Sequence, residues 1–228
     1  AKQNHPAVSA FIDGSVKKIC NLEPDLIIGF SDIQADLAAK LIRANQQVLI
    51  FNQRSIDEIL EVILTIGRIV SAEDRARELV KSYKRRIEEV KHRSLELEYR
   101  PKVYFEEWDN PTFSAIRWVS ELIEVAGGDD VFSEKSFGKL AKEREIQWSD
   151  VVEQNPDIIL ASWCGKPVDI NSIKERPNWN SITAVKEDRI HEIDPSIILQ
   201  PGPACLTDGL RVIEKFIHDI FDLTESNS

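Results

Sequence analysis

The chain has 228 residues, a length between one and two domains. With 42% hydrophobic and 30% charged residues it reads as globular rather than disordered. A formal net charge of −10, from 29 basic and 39 acidic residues, excludes a dedicated nucleic-acid binder, whose footprint is a basic face. There is no run of about 18 apolar residues, so no membrane-spanning helix is expected. The sequence starts at Ala1 without Met and without a charged-then-apolar signal peptide, from which a removed leader or a missing N-terminal piece is expected.

Asp13 to Leu22 reads as a helix that stops at Glu23-Pro24-Asp25, because the residue before a proline is pushed out of the helical region. Leu26-Ile27-Ile28, bounded by Gly29, is a continuous apolar run of the kind found in strands buried on both faces. Phe30-Ser31-Asp32 is a loop, with Ser31 or Asp32 as the expected cap of a helix through Ala35, Leu37, Ala38, Leu41 and Ile42. Val48 to Phe51 is a second strand and ends in Asn52-Gln53-Arg54. Ser55 and Glu58 form a capping-box pattern for a helix from Ile56 to Ile69.

Residues 72–97 contain no Gly or Pro and mix both signs of charge. Ala76, Leu79, Val80, Tyr83, Ile87 and Val90 recur at helical spacing, giving one apolar stripe on a helix about 33 Å long. Arg100-Pro101 ends it, and Val103-Tyr104-Phe105 is the next strand, opening into a polar loop from Glu106 to Pro111. A helix from Ile116 to Ala126 stops at Gly127-Gly128. Residues 132–145 are charged and irregular, and Trp148 to Gln154 is a short helix stopped at Asn155-Pro156-Asp157. Ile158 to Ala161 is a buried strand that ends in Ser162-Trp163-Cys164-Gly165. Arg189 to Ile193 is a strand, Pro201-Gly202-Pro203 breaks the chain, and a last helix runs from Ala204 to Phe221.

The segment around Glu23-Pro24-Asp25 and the segment around Asn155-Pro156-Asp157 repeat one pattern: helix, Pro-Asp, buried strand, polar loop. The expected fold is therefore α/β, with two parallel-sheet lobes joined by one long rigid helix. Residues 1–71 form an incomplete N-terminal lobe, 72–97 the connecting helix and 98–228 the C-terminal lobe. A helix without Gly or Pro has no hinge, so little lobe closure is expected. Ligands of open parallel sheets bind beyond the carboxyl ends of the strands. Those ends supply the candidate ligand-binding residues Phe30, Ser31, Asp32, Asn52, Gln53, Arg54, Trp108, Asp109, Trp163, Cys164 and Gln200. Aromatic walls with a few placed polar groups suit a bulky, partly apolar ligand. Trp118 and Trp148 are expected in the core, and Trp179 as a plug under a loop.

The sequence offers little for catalysis. Nucleotide-binding glycine motifs, a GxSxG elbow and an HExxH pair are absent. His191-Glu192 lies in a strand without a second histidine, and His5, His92 and His218 sit in a terminus or on helices. Glu106 and Glu107 adjoin the strand end, but neighbours on a strand point to opposite faces. Cys20, Cys164 and Cys205 are widely spaced and fit no metal motif; their disulfide state stays open. Neither catalytic residues, a metal site nor a resident cofactor is expected.

PDLIIGFSD, the long helix, KVYFEEWDNP, SELIEVAGG, QWSDVVEQNPDIILASW and ILQPGP together resemble the substrate-binding proteins of cobalamin and iron–siderophore ABC importers, most closely the cobalamin-binding branch. The resemblance covers residues 8–222. It implies two α/β lobes, a ligand cleft between them, an extracytoplasmic monomer, and non-catalytic binding of cobalamin or another corrinoid. Phe30, Trp108 and Trp163 then face apolar ligand surface, while Gln53, Arg54, Asp109 and Gln200 bond its peripheral amides or phosphate. Relatives dock to an ABC permease through an acidic residue on each lobe. The matching positions here are Lys17 and Leu199-Gln200, neither acidic, which argues against that mode of docking. The family's first lobe also begins with a strand–helix–strand that is absent here. Three alternatives stay open: an iron–siderophore ligand, a soluble corrinoid carrier or sensor without a permease (cytoplasmic if no leader exists), and a chelatase-like enzyme.

Overall fold

The computed structural model describes residues 6–10 and 13–225; His5 lies outside them. The chain divides into two compact units, residues 1–53 and 54–228.

In the first unit, β1 (Ser9–Ala10) pairs antiparallel with β2 (Asp13–Gly14). Helix α1 (Val16–Cys20) therefore starts later than the expected Asp13, because Asp13–Gly14 is extended against β1. Ser15 caps it by accepting from the Lys18 N–H at 3.2 Å. The parallel pair β3 (Ile27–Phe30) and β4 (Val48–Phe51) runs in register from Ile27 opposite Val48 to Phe30 opposite Phe51. Phe30 thus ends a strand rather than opening a loop. A 3-10 turn, Asp32–Gln34, leads into α2 (Ala35–Arg43). Neither Ser31 nor Asp32 caps α2. The Ser31 hydroxyl donates instead to Asp32 Oδ1 at 2.8 Å, and the turn separates both residues from the helix start. Ile19, Leu37 and Leu41 form the core of this unit, with Val16, Ile27 and Val48 packed on them.

The second unit opens with α3 (Ile56–Ile69) and α4 (Glu73–Ser94). The Ser55–Glu58 capping box forms in both directions, each bond at 3.2 Å. On α4, Ala76, Val80, Tyr83 and Val90 are buried, whereas Leu79 is exposed and Ile87 half-buried. The two helices touch where Gly67 has no Cβ; one built there would lie 2.4 Å from the Ala76 Cβ. There follow β5 (Lys102–Asp109), β6 (Thr112–Ser114), α5 (Arg117–Val125), β7 (Asp129–Asp130), α6 (Trp148–Gln154) and β8 (Ile158–Ala161). The chain closes with α7 (Ile170–Lys174), α8 (Thr183–Lys186), β9 (Ile190–Glu192), α9 (Pro195–Ile198) and α10 (Leu210–Glu225).

Among the described residues these strands form one five-stranded sheet, ordered β6-β5-β8-β9, with β7 paired to the start of β5. All pairs are parallel except β5–β6. Val103, Tyr104 and Phe105 and all of β8 are fully buried, which explains their unbroken apolar runs. β5 continues past Phe105 to Asp109 and turns back as β6, so Trp108 stands on a strand and not in a loop. Trp118 is buried and its indole N–H donates to the Ile198 carbonyl at 2.9 Å. Trp179 is also fully buried. Trp148 departs from expectation: it is 40% exposed, because the first turn of α6 leaves it at the surface while Val151 takes the buried position. Among the described residues no helix is long and apolar enough to cross a membrane.

Candidate functional site

The parallel register places the end of β5 beside the end of β8, with Glu106 opposite Ala161. Glu106 is fully buried, and four donors converge on it. Arg176 gives two, at 2.5 and 2.9 Å; the Tyr104 hydroxyl gives one at 2.9 Å, and the Trp163 indole N–H one at 3.2 Å. Burial, then the neighbouring Glu106 charge, holds the Tyr104 hydroxyl well above the usual phenol range, so it stays a donor. The Arg176 guanidinium lies over the rings of Trp179 and Trp148, at 4.5 and 4.9 Å. Glu107 turns the other way and binds Arg144 through both its oxygens; Arg144 also donates to the Ser114 carbonyl at 2.7 Å. Strand alternation thus sends the two glutamates to different arginines. Each carboxylate is occupied as an ion-pair strut.

Beyond this strut lies a polar–aromatic constellation. A register irregularity between Glu106 and Trp108 re-aims the strand end. Lys166 sets its ammonium 4.5 Å from the Trp108 ring centroid and 4.7 Å from that of Trp163. The same ammonium donates to both Asp109 oxygens at 2.8 Å. Trp163 is almost wholly buried, whereas Trp108 and Asp109 are half-buried. Cys164 is half-buried beside them, and burial followed by the Glu107 charge raises its thiol pKa. A cavity of about 320 Å³ adjoins Asp109 and is lined by Asn110, Thr112, Glu145, Gln147 and Trp148 among others.

Three expected residues, Trp108, Asp109 and Trp163, are thus brought together. Lys166, the residue that joins them, escaped the sequence reading, although it is the basic residue of the loop that leaves β8. Arg144 and Arg176 escaped it too, because their partners are 37 and 70 positions away. In the first unit, Phe30, Ser31, Asp32, Asn52 and Gln53 stand at the carboxyl ends of β3 and β4. Ser31 and Gln53 are buried and Asp32 and Asn52 exposed, and the Ser31 N–H donates to the Phe51 carbonyl at 2.7 Å. Gly29 lets Gln34 approach closely enough to accept from the Phe30 N–H at 2.9 Å; a Cβ on Gly29 would sit 2.8 Å from that same Gln34 oxygen. Arg54, in the second unit, donates its backbone N–H to Glu58 at 2.5 Å. Gln200 and Lys17 are exposed, and Leu199 is buried. His191 stacks flat on Phe216 at 4.1 Å, and burial lowers its pKa, so His191 serves packing, while the exposed Glu192 accepts from the Val168 N–H at 3.0 Å. Cys20, Cys164 and Cys205 are free thiols, and among the described residues no three His, Cys, Asp or Glu converge as a metal site.

The family described as periplasmic binding protein matches residues 1–197. An uncharacterized ABC transporter substrate-binding lipoprotein of Bacillus subtilis, YvrC, is 25% identical over 218 residues, which are 91% of this chain and 66% of the relative. The chain therefore spans slightly less than two thirds of that relative's length. Among solved structures, Staphylococcus aureus IsdE complexed with heme superposes with a TM-score of 0.75 at 16% identity, over 91% of this chain and 82% of that one. The vitamin B12 binding protein BtuF of Vibrio cholerae superposes with a TM-score of 0.67 at 17% identity, over 92% and 80%. These likenesses show the shared α/β fold.

Proposed function

The chain belongs to the periplasmic binding protein family, and on that premise we propose that it is the substrate-binding component of an ABC importer, with a corrinoid as its ligand. The observation that carries this reading is the strand-end constellation of Trp108, Trp163, Asp109 and Lys166. It combines indole surface with fixed charge at the edge where parallel sheets take ligands. A corrin macrocycle has both apolar faces and polar peripheral groups, so it suits such a surface. The substrate-binding lipoprotein among the relatives supports the importer role, and the B12-binding and heme-bound structural neighbours support a large macrocyclic ligand.

The proposed ligand contacts are Phe30, Ser31, Asp32, Asn52 and Gln53 in the first unit, and Arg54, Trp108, Asp109, Trp163, Cys164 and Gln200 in the second. The protein works outside the cytoplasm and hands its ligand to a permease. Lys17 and Gln200 are exposed and not acidic, so docking through acidic side chains at those two positions is no part of this proposal. Binding is without chemistry in this proposal, as befits a member of a binding-protein family, and the two glutamates at the end of β5 are each held by an arginine. Hydroxocobalamin titrated into the purified chain should quench its tryptophan emission at micromolar ligand, after correction for absorption, and should coelute through a desalting column. An unquenched and colourless protein would overturn the corrinoid assignment.

A further inference from the structure

We propose that Lys166 sets the selectivity of the strand-end site, admitting ligands that carry an acid group beside an apolar face and disfavouring uncharged ones. This rests on the strand-end site read above and adds what that site demands of its ligand. The ammonium has three donors. Two bond Asp109, at 2.8 Å each, which leaves a third, on a side chain that is 40% exposed.

A ligand laid on the Lys166 side of the Trp108 ring also strips water from this ammonium. A neutral apolar ligand then has two outcomes. It leaves the third N–H of this ammonium dry and unbonded while Asp109 keeps the other two, or it expels Lys166 from both indoles and loses two cation–π contacts. A carboxylate, sulfonate or phosphate on the ligand removes that penalty by accepting the third N–H as a charge-assisted bond. Asp109 competes for the same ammonium, so the carboxylate that anchors Lys166 also weakens its hold on an acidic ligand.

Two dyes that differ by one sulfonate test this on the whole chain: 8-anilinonaphthalene-1-sulfonate and its uncharged parent, N-phenyl-1-naphthylamine, each followed by energy transfer from tryptophan. The sulfonate should bind at least about tenfold tighter than the parent, the size of one charge-assisted bond. Lys166→Met should bring the pair to near equality, Lys166→Arg should keep the preference, and Asp109→Asn should widen it. Urea midpoints of the variants check that folding is intact. Equal affinity for the two dyes in the native protein, a preference that survives Lys166→Met, or no binding of the sulfonate would overturn the inference. Cyanocobalamin titrated in parallel separates this from the corrinoid reading. Discrimination of the dyes without cyanocobalamin binding removes the corrinoid alone; cyanocobalamin binding without discrimination removes the selectivity role alone.

Discussion

Replacing Arg176 by Met should destabilise the second unit severely. The guanidinium is 4% exposed and its partner Glu106 is fully buried, with two bonds at 2.5 and 2.9 Å between them. Met fills much of the same volume but leaves the carboxylate in a dry site with only the Tyr104 and Trp163 donors. Stranding one member of a buried ion pair costs about 3–5 kcal/mol. Losing the contacts over Trp179 and Trp148 adds about 1 kcal/mol. The double variant Glu106→Gln/Arg176→Met removes both charges, and its amide still meets Tyr104 and Trp163. It should regain at least half of the loss. All five tryptophans of the chain lie in this unit, so urea unfolding followed by tryptophan emission reports on it directly. A single variant that loses less than about 1 kcal/mol, or a double variant no better than the single, would refute the view of Glu106–Arg176 as the strut that fixes the strand ends.

Two further predictions concern buried titratable groups. Burial pushes the Asp130 carboxyl from 3.8 up to about 6, while Ser120 and the Phe132 N–H hold it partly down. Folding thus binds this proton more tightly than the unfolded chain does. The resulting stability is full below about 3.8 and is lost as pH rises through about 6, up to about 3 kcal/mol in all. Asp130→Asn should flatten the fall in stability between about pH 4 and 6.5, measured as urea midpoints, and an unchanged pH profile would contradict the assignment. Burial also pushes the Cys205 thiol up to about 11. At pH 8 an aromatic disulfide reagent should titrate Cys20 and Cys164 in the native protein and reach Cys205 only in denaturant. Simultaneous reaction of all three would show the π-helical segment Cys205–Gly209, just before α10, to be open.

The parts legible in the sequence are those whose causes are local. β8 and α3 appear where their residues place them, because Ile158 to Ala161 is apolar without interruption and Ser55 pairs with Glu58 three residues on. The stop at Asn155, left-handed at φ 47, follows from the same local chemistry. Distant partners erased the signal elsewhere. Glu106, Glu107 and Trp108 read as a polar loop, yet they extend β5, because Arg176 and Arg144 neutralise the two acids from far along the chain. Trp148 was expected inside and stands at the surface, since α6 buries Val151 rather than its first turn. The site was half legible. Tryptophans at strand ends pointed to Trp108 and Trp163, but nothing local marks a loop lysine as the cation that lies over both.

The proposed function is the binding of one corrinoid, which is released from the protein unchanged. Native mass spectrometry of the protein with a modest excess of cyanocobalamin tests it most directly. The account predicts a single added mass equal to one intact ligand, recovered unaltered on release. A spectrum of bare protein only, or release of a modified ligand, would contradict it.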